Sequence, residues 1–152
     1  MTIAMEIFPP KNIVFMRRVG ENGEHNRILM QTFRERIKYM GIPLNEYSFF
    51  GINWDDPKTI SSTKCRYDVA IIVDNHQLFY LYEDLHKSNL PSGKFAVILL
   101  PYTLESMENI WENFQDIIAK ENCVWDRTRP IIERYRKKLL EKELCELCVP
   151  VE

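Results

Sequence analysis

Two amphipathic segments of about four turns each, both following a strand-like run, constrain this chain more than any other feature. RILMQTFRERIKYMG (27–41) places apolar residues at 29, 30, 33, 37 and 40, the spacing of one helix face. NIVFMRRVG (12–20) before it reads as a strand that stops at Gly20, and ENGEHN (21–26) as a turn. Asn22 or Asn26 is the expected helix cap. Gly41 suits the position after the helix, and Pro43 prevents a restart. SMENIWENFQDIIAK (106–120) repeats the pattern with Met107, Ile110, Trp111, Phe114, Ile117 and Ile118. The strand KFAVILLPY (94–102) precedes it, with Thr103 or Ser106 as the expected cap.

Further strands follow each helix. YSFFGIN (47–53) and CRYDVAIIV (65–73) follow the first. In the latter, alternation puts Cys65, Tyr67, Val69, Ile71 and Val73 on one face and Arg66, Asp68 and Ala70 on the other. ELCELCVPV (143–151) reads as the last strand, with Cys145, Leu147, Val149 and Val151 sharing a face. Residues 74–93 and 124–142 have no clear periodicity; QLFYLYEDL fits a strand or a short helix equally. Strand–helix–strand–strand over 12–73 is thus followed by strand–helix–irregular segment–strand over 94–151. This order predicts an α+β fold of two duplicated units, with two main helices on a mainly antiparallel sheet. A crevice is expected where the halves meet. At 152 residues, one domain spanning 1–152 is expected.

Charge and cysteine usage narrow the function. Lys and Arg total 20 against 22 Asp and Glu, so the basic excess of a nucleic-acid binder is missing. The densest basic cluster, RYRKK (134–138), is flanked by Glu133 and Glu141 and reads as a solvated face. No apolar run approaches the ~18 residues of a membrane span. MTIAMEIFPPK lacks the basic start and long apolar core of a signal peptide. Cys65, Cys123, Cys145 and Cys148 form no disulfide framework, so free thiols and a cytoplasmic location are expected. CELC (145–148) has C-x-x-C spacing, but in a strand its thiols point to opposite faces. His25, His76 and His86 are scattered, so neither metal nor cofactor is expected. Asp55-Asp56-Pro57 reads as a turn start rather than a carboxylate pair for acid–base work. Asp68 is expected to pair with Arg66 or a neighbouring strand.

RPIIERY (129–135) sets Glu133 among a proline, two isoleucines and a tyrosine. Either Pro130 starts a surface helix and Glu133 pairs with Arg136 or Lys137 in water, or the carboxylate sits in an apolar place. Composition alone favours the first. The second is costly unless a partner arrives.

The ordered set VGENGEHNRILMQTFRERIKYMG, FFGINWDDP, KCRYDVAIIV, LPSGKFAVILLPYT, RPIIERY and ELCELCVPV resembles the GyrI-like small-molecule-binding domain, also called the AraC-type effector-binding domain. The resemblance spans about 5–151; KCRYDV, and PxxERY followed by ELCVPV, are its most telling parts. It implies a pair of βαββ units related by a pseudo-twofold axis. It also implies a central aromatic channel for hydrophobic, often cationic compounds, with an acidic counter-charge. The chain resembles stand-alone members without a DNA-binding domain, so direct nucleic-acid or membrane binding is not expected. By its place in PIIERY, Glu133 matches the family's ligand-binding glutamate. The aromatic candidates in the matched stretches are Phe50 and Trp54 at a rim, Tyr67 as a hydroxyl partner for Glu133, and Phe95, Tyr102, Trp111 and Tyr135. Phe114 reads as core. The resemblance favours small-molecule binding in regulation or toxin protection. It also admits hydrolysis of strained cyclopropane-containing toxins, with Glu133 as general base and Tyr67 or Tyr135 as proton donor. A third function is inhibition of DNA gyrase; gyrase or a separate regulator would be the protein partner. LLPYT departs from members that often carry a His and a Gly after this strand, which leaves the channel rim and ligand choice open.

Overall fold

A computed structural model describes residues 2–42 and 47–152; the expected stop at Pro43 lies outside them. The strands are β1 (Thr2–Phe8), β2 (Asn12–Val19), β3 (Phe49–Asn53), β4 (Arg66–Ile72), β5 (His86–Asn89), β6 (Gly93–Pro101), β7 (Ile131–Tyr135) and β8 (Leu144–Pro150). The helices are α1 (Glu24–Tyr39), α2 (Leu104–Ala119) and the single turn α3 (Lys137–Leu140). All eight strands join one sheet in the order β1-β6-β8-β7-β3-β4-β2-β5. Every pair of neighbouring strands is antiparallel. The α+β architecture with two main helices is as expected. The run β2-α1-β3-β4 is followed later by β6-α2-β7-α3-β8, and β3 and β7 lie side by side at the centre of the sheet.

Helix limits follow local chemistry. The Thr103 hydroxyl accepts the Ser106 backbone N–H at 3.1 Å, so Thr103 caps α2. α1 begins at Glu24, earlier than its apolar spacing predicts, with Gly23 at the cap position and no side-chain cap. Asn26 instead donates to Asn22 at 3.0 Å and accepts from Arg18 at 2.6 Å, so neither asparagine caps the helix. After α1, Gly41 has φ 79, a backbone region that suits glycine.

Three strands, β1, β5 and β7, escape the sequence patterns. β1 is the exposed edge beside β6. β7 occupies the segment read as irregular, so Glu133 stands on a central strand and not on a surface helix begun by Pro130. In the ambiguous 74–93 stretch, His76–Phe79 forms a 3-10 turn and His86–Asn89 the other edge strand.

Both helices lie on one face of the sheet. Phe33 and Ile37 of α1 pack on Val14, Phe49, Tyr67, Val69 and Ile71. Ile110, Phe114 and Ile118 of α2 pack on Ile98, Leu100, Cys145, Leu147 and Val149. The opposite face is also buried, by Phe8, Ile13, Phe50, Ile52, Ala70, Phe95, Ile132 and Cys148. Curling of the sheet explains this. β1 and β2 stand six positions apart in the strand order yet are joined only by residues 9–11. In a flat sheet that separation would be about 29 Å, whereas the link reaches about 15 Å. The link over 90–92, from β5 to β6, bridges the same number of positions. The two links meet where the Leu90 N–H donates to the Lys11 carbonyl at 2.7 Å. The edges are unpaired, and the face away from the helices is concave and largely buried.

Candidate functional site

β3 and β7 form the centre of the sheet, with Gly51 directly across from Glu133. The Glu133 side chain rises on the helix face, where Tyr135 belongs to the packing of both the α1 and the α2 clusters. Glu133 is 8% exposed. Its Oε1 accepts the Tyr67 hydroxyl at 2.8 Å and the Tyr135 hydroxyl at 3.0 Å. Its Oε2 accepts from Asn53 Nδ2 at 3.4 Å, a long bond that Asn53 shares with the Ile131 carbonyl. The Trp111 indole also favours the charged carboxylate, more weakly than the tyrosines and Asn53.

Tyr67 stands on β4, with β3 between it and Glu133. Gly51 makes their contact possible, because a Cβ there would collide with the Tyr67 hydroxyl and the Glu133 carboxylate. Glycine inside a strand marks such a close approach, so FFGIN carried a signal for this position. Asn53 had no comparable signal.

Burial pushes the Glu133 carboxyl above the usual carboxylate range, and the hydrogen bonds from Tyr67, Tyr135 and Asn53 oppose that shift. Burial also raises both tyrosine hydroxyls well above their ordinary value, and the Glu133 charge adds to it. The tyrosines therefore remain protonated donors. Among the described residues no cation pairs with Glu133. Arg136 binds Glu146 through two bonds of 2.8 Å, and Lys137 lies 3.8 Å from Glu141. The pairing of Glu133 with Arg136 or Lys137 in water is thus replaced by a buried carboxylate held by neutral donors.

The other predicted aromatics divide between the two faces. Tyr102 is half-exposed, with its ring 5.5 Å from that of Tyr135, and Trp111 packs into the α2 cluster. Phe50, Trp54 and Phe95 lie on the concave face, away from Glu133. There Trp54 Nε1 donates to Asp68 at 2.7 Å, and Phe95 stacks on Phe8 with centroids 4.4 Å apart. Asp68 also receives Arg17 from β2 at 2.7 Å, the neighbouring-strand partner among the two expected. Asp55 pairs with Arg66, and Asp56 accepts the Lys58 N–H at 2.9 Å as a turn residue. Cys145 and Cys148 point to opposite faces.

Two surface clefts flank this region. One, of about 310 Å³, lies between α1 and Tyr102. The other, of about 380 Å³, is lined by Tyr47, Ser48 and the basic residues around α3. Neither is lined by Glu133: the space above the carboxylate holds the rings of Tyr67 and Tyr135.

The protein is thus an antiparallel sheet carrying two helices on one face, with a buried acid between the helix clusters. The chain belongs to the GyrI-like small molecule binding domain family, whose model matches residues 1–152. It is 35% identical over 153 residues to YosT of Bacillus subtilis (strain 168), an SPbeta prophage-derived protein named for transcriptional regulation, with 100% of both chains covered. Among solved structures it is similar to SAV2435 bound to tetraphenylphosphonium, with TM-score 0.67, 18% identity, and 100% of this chain and 94% of that one covered. It is also similar to EcmrR in a complex with DNA, with TM-score 0.73, 12% identity, and 99% of this chain and 57% of that one covered. No helix of the described residues is long and apolar enough to cross a membrane.

Proposed function

We propose that this protein is a ligand-sensing or ligand-sequestering module that takes a hydrophobic cation against Glu133. The observation that carries this reading is a buried carboxylate held by two tyrosine hydroxyls and an amide, with no cationic partner among the described residues. Such a charge is costly in isolation. An organic cation would supply the missing partner, while Tyr67, Tyr135, Trp111 and Tyr102 offer aromatic surface to its apolar body. Two relationships support the reading: a fold neighbour that holds tetraphenylphosphonium, and a full-length relative named for regulation. Ligand binding would then be coupled to transcription regulation in a cytoplasmic setting, a reading that the balanced charge and free cysteines favour. Phe50, Trp54 and Phe95 are left out of the proposed site because the sheet separates them from Glu133.

The test is fluorescence anisotropy with a rhodamine cation. Glu133→Gln is expected to weaken binding roughly tenfold or more, the scale of an ion pair in a poorly hydrated place. Equal affinities would overturn the assignment. Mass spectrometry is expected to return the ligand unchanged; a ring-opened product from a cyclopropane-containing toxin would shift the reading to hydrolysis by the same carboxylate.

A further inference from the structure

The cleft between α1 and Tyr102 carries the opposite charge to the carboxylate behind it. Its charged lining is Arg27, Arg34 and Lys38 against the single acid Glu35. Arg27 is engaged by Glu24 at 3.1 Å, but Arg34 and Lys38 have no carboxylate partner among the described residues. Arg34 is also held in place, with its guanidinium 4.8 Å from the centroid of the Phe49 ring. Phe49 is the register partner of Tyr135, whose hydroxyl reaches Glu133 at 3.0 Å. Tyr102 closes the path from the other side: it lines the cleft, and its ring lies 5.5 Å from that of Tyr135. Met30 lines the cleft as well, and packs in one cluster with Phe49, Tyr67 and Tyr135. The mainly positive cleft and the negative carboxylate network thus stand on either side of the Tyr102 and Tyr135 rings.

A simple cation entering by this cleft would meet the positive charge of Arg34 and Lys38. A molecule with both charges would offset it with its anionic end. We propose that the ligand is amphoteric: its cationic end displaces the Tyr102 ring to reach Glu133, and its anionic end stays in the cleft against Arg34, with Lys38 nearby. The inference rests on the reading of Glu133 as the cation site and adds the second pole. Arg34 is then a specificity-determining residue, because an anionic group beside a fixed guanidinium gains an ion pair that a neutral group lacks.

A matched pair of dyes tests it: a rhodamine with a free carboxylate, zwitterionic at neutral pH, and its ethyl ester, a simple cation. The wild-type protein is expected to bind the acid about two- to fivefold more tightly than the ester, the range of a partly exposed ion pair. Arg34→Gln, checked for folding by circular dichroism, is expected to bring that ratio to about one on the same scale. In wild type the ratio is expected to shrink as salt is raised, a measurement that needs no variant. Equal binding of acid and ester by wild type, at both low and high salt, overturns the inference and leaves the Glu133 site standing. If Glu133→Gln binds both dyes as well as wild type does, or wild type binds neither, the Glu133 reading fails and this inference fails with it.

Discussion

Glu133 is buried with donors that carry no charge, and the burial makes its ionisation a liability of the folded state. Its carboxyl lies above the ordinary value of 4.5, with burial as the largest cause. The folded protein therefore holds the proton more tightly than the unfolded chain. The resulting stability is fully present below about pH 4.5 and is lost as pH rises through the folded value. Glu133→Gln removes that loss while keeping an oxygen to accept the tyrosine hydroxyls. Denaturant titrations across pH are expected to show the variant gaining on wild type as pH rises. A constant difference between the two would contradict a carboxyl raised by burial. Gly51 is the second residue of consequence. Gly51→Ala would push a methyl into the Tyr67 hydroxyl and the Glu133 carboxylate, costing about 1–3 kcal/mol of stability and weakening dye binding. Unchanged stability and affinity would mean that Tyr67 does not cross β3 in solution.

At the scale of elements, β7 organises both faces of the sheet. Glu133 serves the helix face, while Arg134 crosses the concave one. The Arg134 guanidinium donates to Glu146 on β8 at 2.9 and 3.1 Å and to Glu6 on β1 at 3.0 and 2.9 Å. Glu146 also takes Arg136, and its 5% exposure leaves little water to replace a lost partner. Glu146→Gln would leave Arg134 with Glu6 as its remaining carboxylate and is expected to cost about 3 kcal/mol. Dye affinity should hold, because this network lies on the opposite face from Glu133. A loss under about 0.5 kcal/mol would show that the network is effectively solvated. β7 was hidden in the sequence for the same reason that it matters. Its five residues are mostly buried on both faces, so polarity does not alternate. Its charges look like a surface when read locally, because Tyr67, Asn53, Glu146 and Glu6, which bind them, lie far away in sequence. β1 was hidden differently: an edge strand with Met5 and Ile7 exposed shows no clean alternation of burial. The longer elements were legible because α1 and α2 repeat their apolar residues at helical spacing and β4 alternates.

At the scale of the molecule, the two-helix α+β sheet was readable from element order, but the partition of aromatics between its faces was not. That partition depends on inter-strand register. Phe50 pairs with Ala70, which sends it to the concave side, whereas Tyr67 pairs with Asn53 and faces the helices. A shift of one residue would have exchanged them. The exchange of edge strands between the halves has a further consequence, for synthesis on the ribosome. Among the described residues, β1 pairs in the sheet only with β6, and β5 only with β2. The first strand made must therefore wait, unpaired and rich in apolar side chains, until residues 93–101 have emerged. The nascent N-terminal half cannot reach its final form alone, and β1 leaves apolar side chains uncovered during that delay.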